Sequence, residues 1–572
     1  MSQSPNSVNV DQDVEVLMRD GCSLQADVYR PAQAPEELPV LVLRTPYDRR
    51  VTNQTVMAPA EWYASQGFIV VCQDARGRFA SDGEFDPFTN EALDGHDTVE
   101  WAARLGGSTG EVGLYGASYA GYNQLLTAVT RPPSLKAIAP VISGSDLASE
   151  WIYPSGVLNL NFVVWWSAFL GLDMAKRSGD DEHFQALAAI VADPTAALAL
   201  SPSAVEPLMK LPVYRRFIGA EVDDDWWSEN RVLSRISSID VPTILVGGWY
   251  DVFNEGSIAA FRQLAETSDE HRLLIGPWCH VPWSAYMGDL SYGGQAWGNV
   301  VDHAVAGFFR YHLKGEGKPS ESPVSYFTIF DNVWAEADQW PPGGTIPRRW
   351  FLGSEGLANS AGGDGTLTEE PSAGDSPDYF VYDPAGPVPS LGGFSCCFEE
   401  VAPLGPRDQR PIEARRDVLV YTTEPLDELL LAGPGYVDVW ISTRAVSADY
   451  LVRLCVVEEE ESINISEGIV SLSEEEIAET GDNGLQLRIS LRNIAAKVRT
   501  GSRLRLHITG GSFPAFPINP QTGGTSPDGQ PSPPAPASHT VYHDETRPSH
   551  LELTILPIGD EASNAGFRRI GI

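Results

Sequence analysis

Apolar and polar positions along the chain follow two patterns, with the change near residue 350. Short apolar or alternating runs at residues 14–18, 26–29 and 40–43, divided by Asp20-Gly21 and proline-rich turns, predict strands. Residues 57–66 suit a helix and residues 68–72 a buried strand. Residues 90–105 place Ala92, Val99, Trp101 and Ala102 at helical spacing. Strands are expected again at 112–115 and 135–141. Alternating strand and helix implies a mostly parallel sheet with helices on both faces.

This alternation stops near residue 145. Residues 150–236 are rich in aromatic and small side chains, with helical spacing at 158–172 and 183–191 and no strand pattern. They read as a helical insertion, or lid. The sheet resumes at 242–247 and 272–276, with a helix between them at 257–266 and a final helix at 300–313. Residues 356–376 are Gly/Ser/Thr-rich and read as a loop or linker. Short alternating runs follow at 379–382, 418–421, 436–443, 450–457, 485–491, 503–508 and 551–556, the spacing of an antiparallel sandwich. Residues 521–538 form a Pro/Gly/Ser-rich insertion that is expected to be mobile. The glutamate runs 458–461 and 474–476 read as solvated turns. The expected organisation is an α/β domain at 1–145 and 240–350, a helical insertion at 146–239 and a sandwich at 351–572.

Bulk composition narrows the function. A chain of 572 residues exceeds one core, and 42% hydrophobic with 20% charged residues is the composition of a folded protein. A formal net charge of −38 argues against nucleic acid and against anionic membranes as partners. The six cysteines are scattered without a Cys-x-x-Cys, so free thiols are expected. The first residues lack the basic and apolar regions of a signal peptide, and no apolar run is long enough to span a bilayer. A cytoplasmic protein is the expectation. No zinc, phosphate-loop or dinucleotide motif occurs, so no metal or cofactor is required.

The candidate chemistry centres on Gly116-Ala-Ser-Tyr-Ala-Gly121. An apolar run precedes Ser118 and a helix-compatible run follows it, which predicts strand, sharp turn and helix with the serine at the apex. Ala120 stands where the second glycine of Gly-x-Ser-x-Gly usually falls, a mild departure. A nucleophilic serine needs a base, an orienting acid and an oxyanion site. Asp251 in Gly248-Trp-Tyr-Asp251 and His280 in Gly276-Pro-Trp-Cys-His280 each follow a predicted strand, in the order Ser, Asp, His. His96 and His303 fall in helices and His507 in a sandwich strand, and these read as structural. The Tyr119 N–H is one expected oxyanion donor. Tyr47, in Arg44-Thr-Pro-Tyr47 straight after a strand, offers a hydroxyl as the second, or else is a wall residue.

Together these four motifs resemble the CocE/NonD hydrolases, a bacterial esterase group related to X-prolyl dipeptidyl peptidases and α-amino acid ester hydrolases. The resemblance extends to Asp74-Ala-Arg-Gly-Arg78, Ser81-Asp-Gly-Glu84, Tyr382-Asp-Pro, Asp408-Gln-Arg-Pro411 and Ser512-Phe-Pro514. It implies an α/β-hydrolase domain, a helical lid and a jelly-roll-like β-sandwich. It implies Ser118, Asp251 and His280 as a triad, with Tyr47 and Tyr119 at the oxyanion hole. The family's aromatic acyl pocket maps onto Trp151, Trp166 and Phe253. After Gly393 the sequence reads Phe-Ser-Cys-Cys-Phe, a departure from the family's more aliphatic run.

The leading reading is a serine carboxylesterase working through an acyl-enzyme on small-molecule esters with bulky or aromatic acyl groups. Two alternatives stay open. An X-prolyl dipeptidyl aminopeptidase or α-amino acid ester hydrolase would need a carboxylate for the substrate ammonium, and Glu150 and Asp146 are candidates. A non-catalytic glycan- or partner-binding role would rest on the sandwich. A homodimer is allowed for. The Asp74–Arg78 segment reads as a salt-bridged turn rather than an anion site.

Overall fold

The computed structural model describes residues 7–33, 37–52, 57–221, 224–281, 283–318, 322–372, 374, 376–394, 396, 399–478, 484–523, 532–557 and 568–570. Two compact units emerge. The first comprises Met1–Trp151, Val163–Ala285 and Gly294–Ser325; the second comprises Ile152–Phe162, Tyr286–Gly293 and Tyr326–Ile572.

Eight strands carry the first unit: β1 (Val8–Leu17), β2 (Ser23–Pro31), β3 (Leu38–Thr45), β4 (Ile69–Asp74), β5 (Ser108–Ala117), β6 (Leu135–Val141), β7 (Ile244–Tyr250) and β8 (Arg272–Cys279). They lie in the order β1-β2-β4-β3-β5-β6-β7-β8. The β1–β2 and β2–β4 pairs are antiparallel, and from β4 to β8 every pair is parallel. The reason is in the side chains. Val40 to Leu43 and the whole of β4 and β7 are buried, because helices cover both faces, so these strands are continuous apolar runs. The flanking helices include α1 (Glu91–Ala103), α2 (Tyr119–Ala128), α3 (Leu160–Ser178), α4 (Asn254–Ala265) and α5 (Asn299–Lys314). Every residue of α2 is buried. Between β6 and β7 the described residues hold only helices, beginning with a π-helical turn at Leu147–Ile152.

Register sets the positions that matter. Ala117 pairs with Val141, Val141 with Val246, and Gly248 with Gly276. The residues that follow β5, β7 and β8 therefore emerge at the same, C-terminal, edge of the sheet. That edge is where open α/β sheets place their ligands.

Under the opposite half of the sheet, charge is buried. The Arg49 guanidinium is almost fully enclosed and meets three carboxylates: Asp27 at 3.0 Å, Asp74 and Asp13. Asp27 on β2 and Asp74 on β4 are themselves buried. Burial pushes the Asp74 carboxyl up, against the pull of Arg49.

The second unit is β-rich. Its described strands pair antiparallel except where Thr366–Thr368 runs parallel to Val418–Thr423. Leu429–Thr443 is long enough to pair with Leu485–Val498, Ala537–Tyr542 and His550–Leu556, and its register shifts at Gly433 to Gly435. Two features depart from expectation. Ile346–Gly353 crosses residue 350 and pairs with His550–Leu556. The Gly/Ser/Thr-rich stretch at 356–376, expected as a loop or linker within the sandwich region, contains the strand Thr366–Thr368. Loop composition marked the stretch as a linker, but short strands with small side chains carry the same composition. Glu458 and Glu461 flank a hairpin turn, and Glu474–Ala478 is a single helical turn. Residues 524–531 of the Pro/Gly/Ser-rich insertion lie outside the described residues, as do Ser395, Cys397 and Phe398 of the run after Gly393.

Cys22, Cys72, Cys279 and Cys455 are free, whereas Cys396 is disulfide-bonded. Free thiols throughout were expected, and that expectation fails at Cys396. The scatter of the cysteines and the lack of a Cys-x-x-Cys motif carried that expectation, and neither rules out a pairing. Among the described residues no helix is long and apolar enough to cross a membrane.

Replacing Arg49 with alanine would leave Asp74 buried without its cation and Asp27 with only the more distant Arg50, at 3.5 Å. The expected loss is about 3–5 kcal/mol, read as a fall in the urea midpoint at unchanged slope.

Candidate active site

Ser118 sits between β5 and α2 with φ 60° and ψ −123°, a conformation that side chains rarely adopt. The chain can take it because the neighbours are small. A Cβ on Gly116, at φ 140°, would lie 2.8 Å from the Ala120 Cβ. A Cβ on Gly121 would lie 2.7 Å from the Ser143 Cβ. The turn is fastened by Ser118 N–H to the Val141 carbonyl at 2.9 Å and by Gly121 and Tyr122 N–H groups to the Ser118 carbonyl at 2.8 and 2.9 Å. Ala120, where a glycine is more usual, is fully buried in this turn.

The serine hydroxyl lies 3.0 Å from His280 Nε2, and His280 Nδ1 lies 2.9 Å from Asp251 Oδ1. Asp251 is fully buried and His280 nearly so. Asp251 follows β7 in a turn closed by its N–H on the Gly248 carbonyl at 2.9 Å. Gly248 must be glycine, since a Cβ there would meet the Trp278 carbonyl oxygen at 2.3 Å. Such a chain can pass the serine proton to the imidazole while the carboxylate fixes the ring's tautomer.

Tyr47 and Tyr119 flank the serine. The Tyr47 hydroxyl accepts from Trp166 Nε1 at 2.9 Å and also hydrogen-bonds the Ser118 side chain. Burial raises its pKa well above the ordinary phenol value, so it stays a neutral donor. The Tyr119 N–H heads α2, where a helix has no internal acceptor to offer. Its ring is anchored away from the serine. The Tyr119 hydroxyl donates to Glu91 Oε1 at 3.0 Å and accepts from Phe88 N–H at 2.9 Å. Arg44 closes the set, donating to Glu91 Oε2 at 2.6 Å and to Gln73 at 2.8 Å.

Trp151, Trp166 and Phe253 come together. Trp151 stacks on Phe253 with ring centroids 4.2 Å apart, Trp166 lies 5.5 Å from Trp151, and Phe253 meets the His280 ring edge-on at 5.0 Å. All three side chains are buried. Phe88 and Phe217 extend the cluster without having been anticipated. Phe88 stacks on Tyr119 at 4.3 Å and Phe217 on Trp166 at 5.6 Å. Neither belongs to a motif or a periodic run, so nothing local marked them.

The arginine-rich segment is structural, as read. Arg78 donates to the carbonyls of Pro46 and Leu170, each at 2.8 Å. Arg177 of α3 reaches back to the Phe79 and Ser81 carbonyls at 2.6 and 3.1 Å. Asp173 accepts from Phe79 N–H at 3.1 Å. His96, His303 and His507 are far from this chemistry in role: they meet Thr130, the Trp62 ring and Glu413. Cys279 is buried beside His280.

Known proteins agree with this picture. Residues 20–282 match the model of X-Pro dipeptidyl-peptidase (S15 family), and residues 316–552 match the C-terminal non-catalytic domain of X-Pro dipeptidyl-peptidase. Cocaine esterase of Rhodococcus sp. strain MB1 Bresler is 32% identical over 96% of this chain and 99% of its own. The chain is a CocE/NonD-family serine hydrolase. An α-amino acid ester hydrolase structure superposes with a TM-score of 0.78 at 20% identity, covering 97% of this chain and 98% of that one. An aminopeptidase of a marine-sediment Thaumarchaeota archaeon superposes at 0.77 with 22% identity and 96% of each chain covered. These two show that the hydrolase shares their fold: an α/β-hydrolase domain with a helical insertion and a β-rich C-terminal part.

Tyr47→Phe removes one hydroxyl beside Ser118 and little else. If that hydroxyl serves the oxyanion, kcat falls by about 10²–10³ with KM nearly unchanged, measured on p-nitrophenyl butyrate.

Proposed function

We propose that this hydrolase is a carboxylesterase in which Ser118 is the nucleophile, His280 the general base and acid, and Asp251 the orienting carboxylate. The observation that carries the reading is the hydrogen-bonded chain from Ser118 through His280 to Asp251. Ser118 attacks the ester carbonyl as His280 takes its proton. The tetrahedral oxyanion is held by the Tyr47 hydroxyl and the Tyr119 N–H. His280 then returns the proton to the leaving alcohol, and water releases the acyl group by the same steps in reverse. Trp151, Trp166 and Phe253, buried around the imidazole, support a preference for bulky or aromatic acyl groups. The Rhodococcus relative is named for an ester, cocaine.

The family also contains X-Pro dipeptidyl-peptidases, so an ammonium-binding carboxylate is the deciding feature. Both candidates are committed elsewhere. Asp146 accepts from Ala148 and Ser149 N–H groups and pairs with Arg231 at 2.9 Å. Glu150 accepts from Ser145 and Asp146 N–H groups at 2.6 and 2.9 Å. These bonds support a simple ester over an amino-acid ester or peptide.

Fluorophosphonate should add one adduct to the wild-type protein and none to Ser118→Ala, seen by intact mass. Turnover of p-nitrophenyl benzoate should exceed that of an Xaa-Pro-p-nitroanilide, and the reverse order would turn the reading toward the peptidase. Asp251→Asn should lower kcat by about 10⁴; near-normal turnover would remove Asp251 from the mechanism.

A further inference from the structure

Glu150 lies on the π-helical turn Leu147–Ile152, directly before Trp151, and is buried, with no cation paired to it among the described residues. Space has been cleared for it. A Cβ on Gly256, in the first turn of α4, would fall 1.7 Å from Glu150 Oε2; a Cβ on Gly144, at φ 61°, would fall 2.5 Å from the same atom. A glycine within a helix is disfavoured by about 1 kcal/mol against alanine, yet one stands here. Isolated π-turns are rare and concentrate at functional sites.

The carboxyl's two oxygens have different surroundings. Oε2 takes the Ser145 and Asp146 N–H groups. Oε1 faces the Ser145 hydroxyl at 3.2 Å. That hydroxyl also faces the Gly256 carbonyl at 2.9 Å. Ser145 has a single hydroxyl hydrogen and two acceptors. When Glu150 carries a proton on Oε1, the chain is complete: Glu150 donates to Ser145, and Ser145 donates to Gly256. When Glu150 is ionised, the carboxylate competes with the Gly256 carbonyl for that one hydrogen. Gly256 belongs to the helix that starts at Phe253, so the tie bears on the Trp151–Phe253 stack.

We propose that Glu150 is a positioning residue whose protonation, relayed through Ser145 to Gly256, sets the Trp151–Phe253 wall and hence the acyl preference of the enzyme. The inference rests on the reading of Trp151 and Phe253 as an acyl wall. Burial pushes the Glu150 carboxyl up to about 7, against the two N–H groups that pull it down. The closed tie therefore belongs to the lower pH side and is lost as pH rises through about 7. Among the described residues the ionisable groups that act on it are Asp146, already paired with Arg231, and Tyr122 of α2, which donates to the Asn230 carbonyl at 2.5 Å. Burial keeps Tyr122 neutral.

The test is the ratio of kcat/KM for p-nitrophenyl benzoate to that for p-nitrophenyl acetate, followed from below to above neutrality. Both esters share a leaving group and a catalytic histidine, so titration of the histidine cancels in the ratio. An aromatic contact of this kind corresponds to a change of about two- to tenfold, with a midpoint near 7 in the wild type. Glu150→Gln, which keeps an acceptor for the two N–H groups and a donor for Ser145, should hold the ratio flat at its low-pH value. Ser145→Ala should also give a flat ratio. A flat wild-type ratio, or an unchanged midpoint in Glu150→Gln, would overturn the proposal. Trp151→Ala separates this from failure of the underlying reading: if it leaves the ratio unchanged, Trp151 is no acyl wall, whereas a changed ratio with no pH dependence in the wild type sinks only the role of Glu150.

Discussion

The active site depends on the backbone of one residue. Ser118 is held at a positive φ, and that conformation is possible only because the chain leaves β5 and enters α2 with almost no intervening length. The hydroxyl then stands above the sheet edge, within reach of an imidazole that arrives from three strands away. The strain is offset locally, by the Val141 carbonyl on one side and two α2 N–H groups on the other. Small residues at 116, 120 and 121 are what allow those bonds to form. The rest of the first unit serves to bring Asp251 and His280 to the same edge, and the parallel register from β5 to β8 does so without any dedicated contact.

A second level of organisation fixes Tyr47 and Tyr119, the two proposed oxyanion donors. Tyr47 is the end of a loop, and loops need anchors. Trp166 holds the hydroxyl end, while Arg78 holds the preceding Pro46 carbonyl. Tyr119 is anchored at its far end by Glu91, whose second oxygen is held by Arg44, three residues before Tyr47. One buried carboxylate therefore links the Tyr119 ring to the end of the strand that leads into Tyr47.

Much of this was legible in the sequence, and the reason differs from part to part. β4, β6 and β8 announced themselves because a strand buried on both faces has to be an apolar run. Ser118, Asp251 and His280 were legible because each must follow a strand, and local sequence records strand ends well. The aromatic cluster was legible only through resemblance to the family, and Phe88 and Phe217 escaped because packing across the insertion leaves no local period. The β-rich unit was read correctly in kind; Ile346–Gly353 runs across the expected border, and Thr366–Thr368 is a short, small-residue strand inside a stretch that reads as a loop. The Cys396 disulfide was missed because cysteines outside any Cys-x-x-Cys motif were read as free.

The fastening of α3 has a kinetic meaning. Arg177 and Asp173 on that helix grip the backbone from Phe79 to Ser81, while Arg78 grips the helix in return at Leu170. A segment clasped from both directions cannot swing outward as a flap without releasing several charge-assisted bonds at once. The fastening therefore works against hinge motion of this helix, the kind of slow step that limits turnover in enzymes with mobile covers.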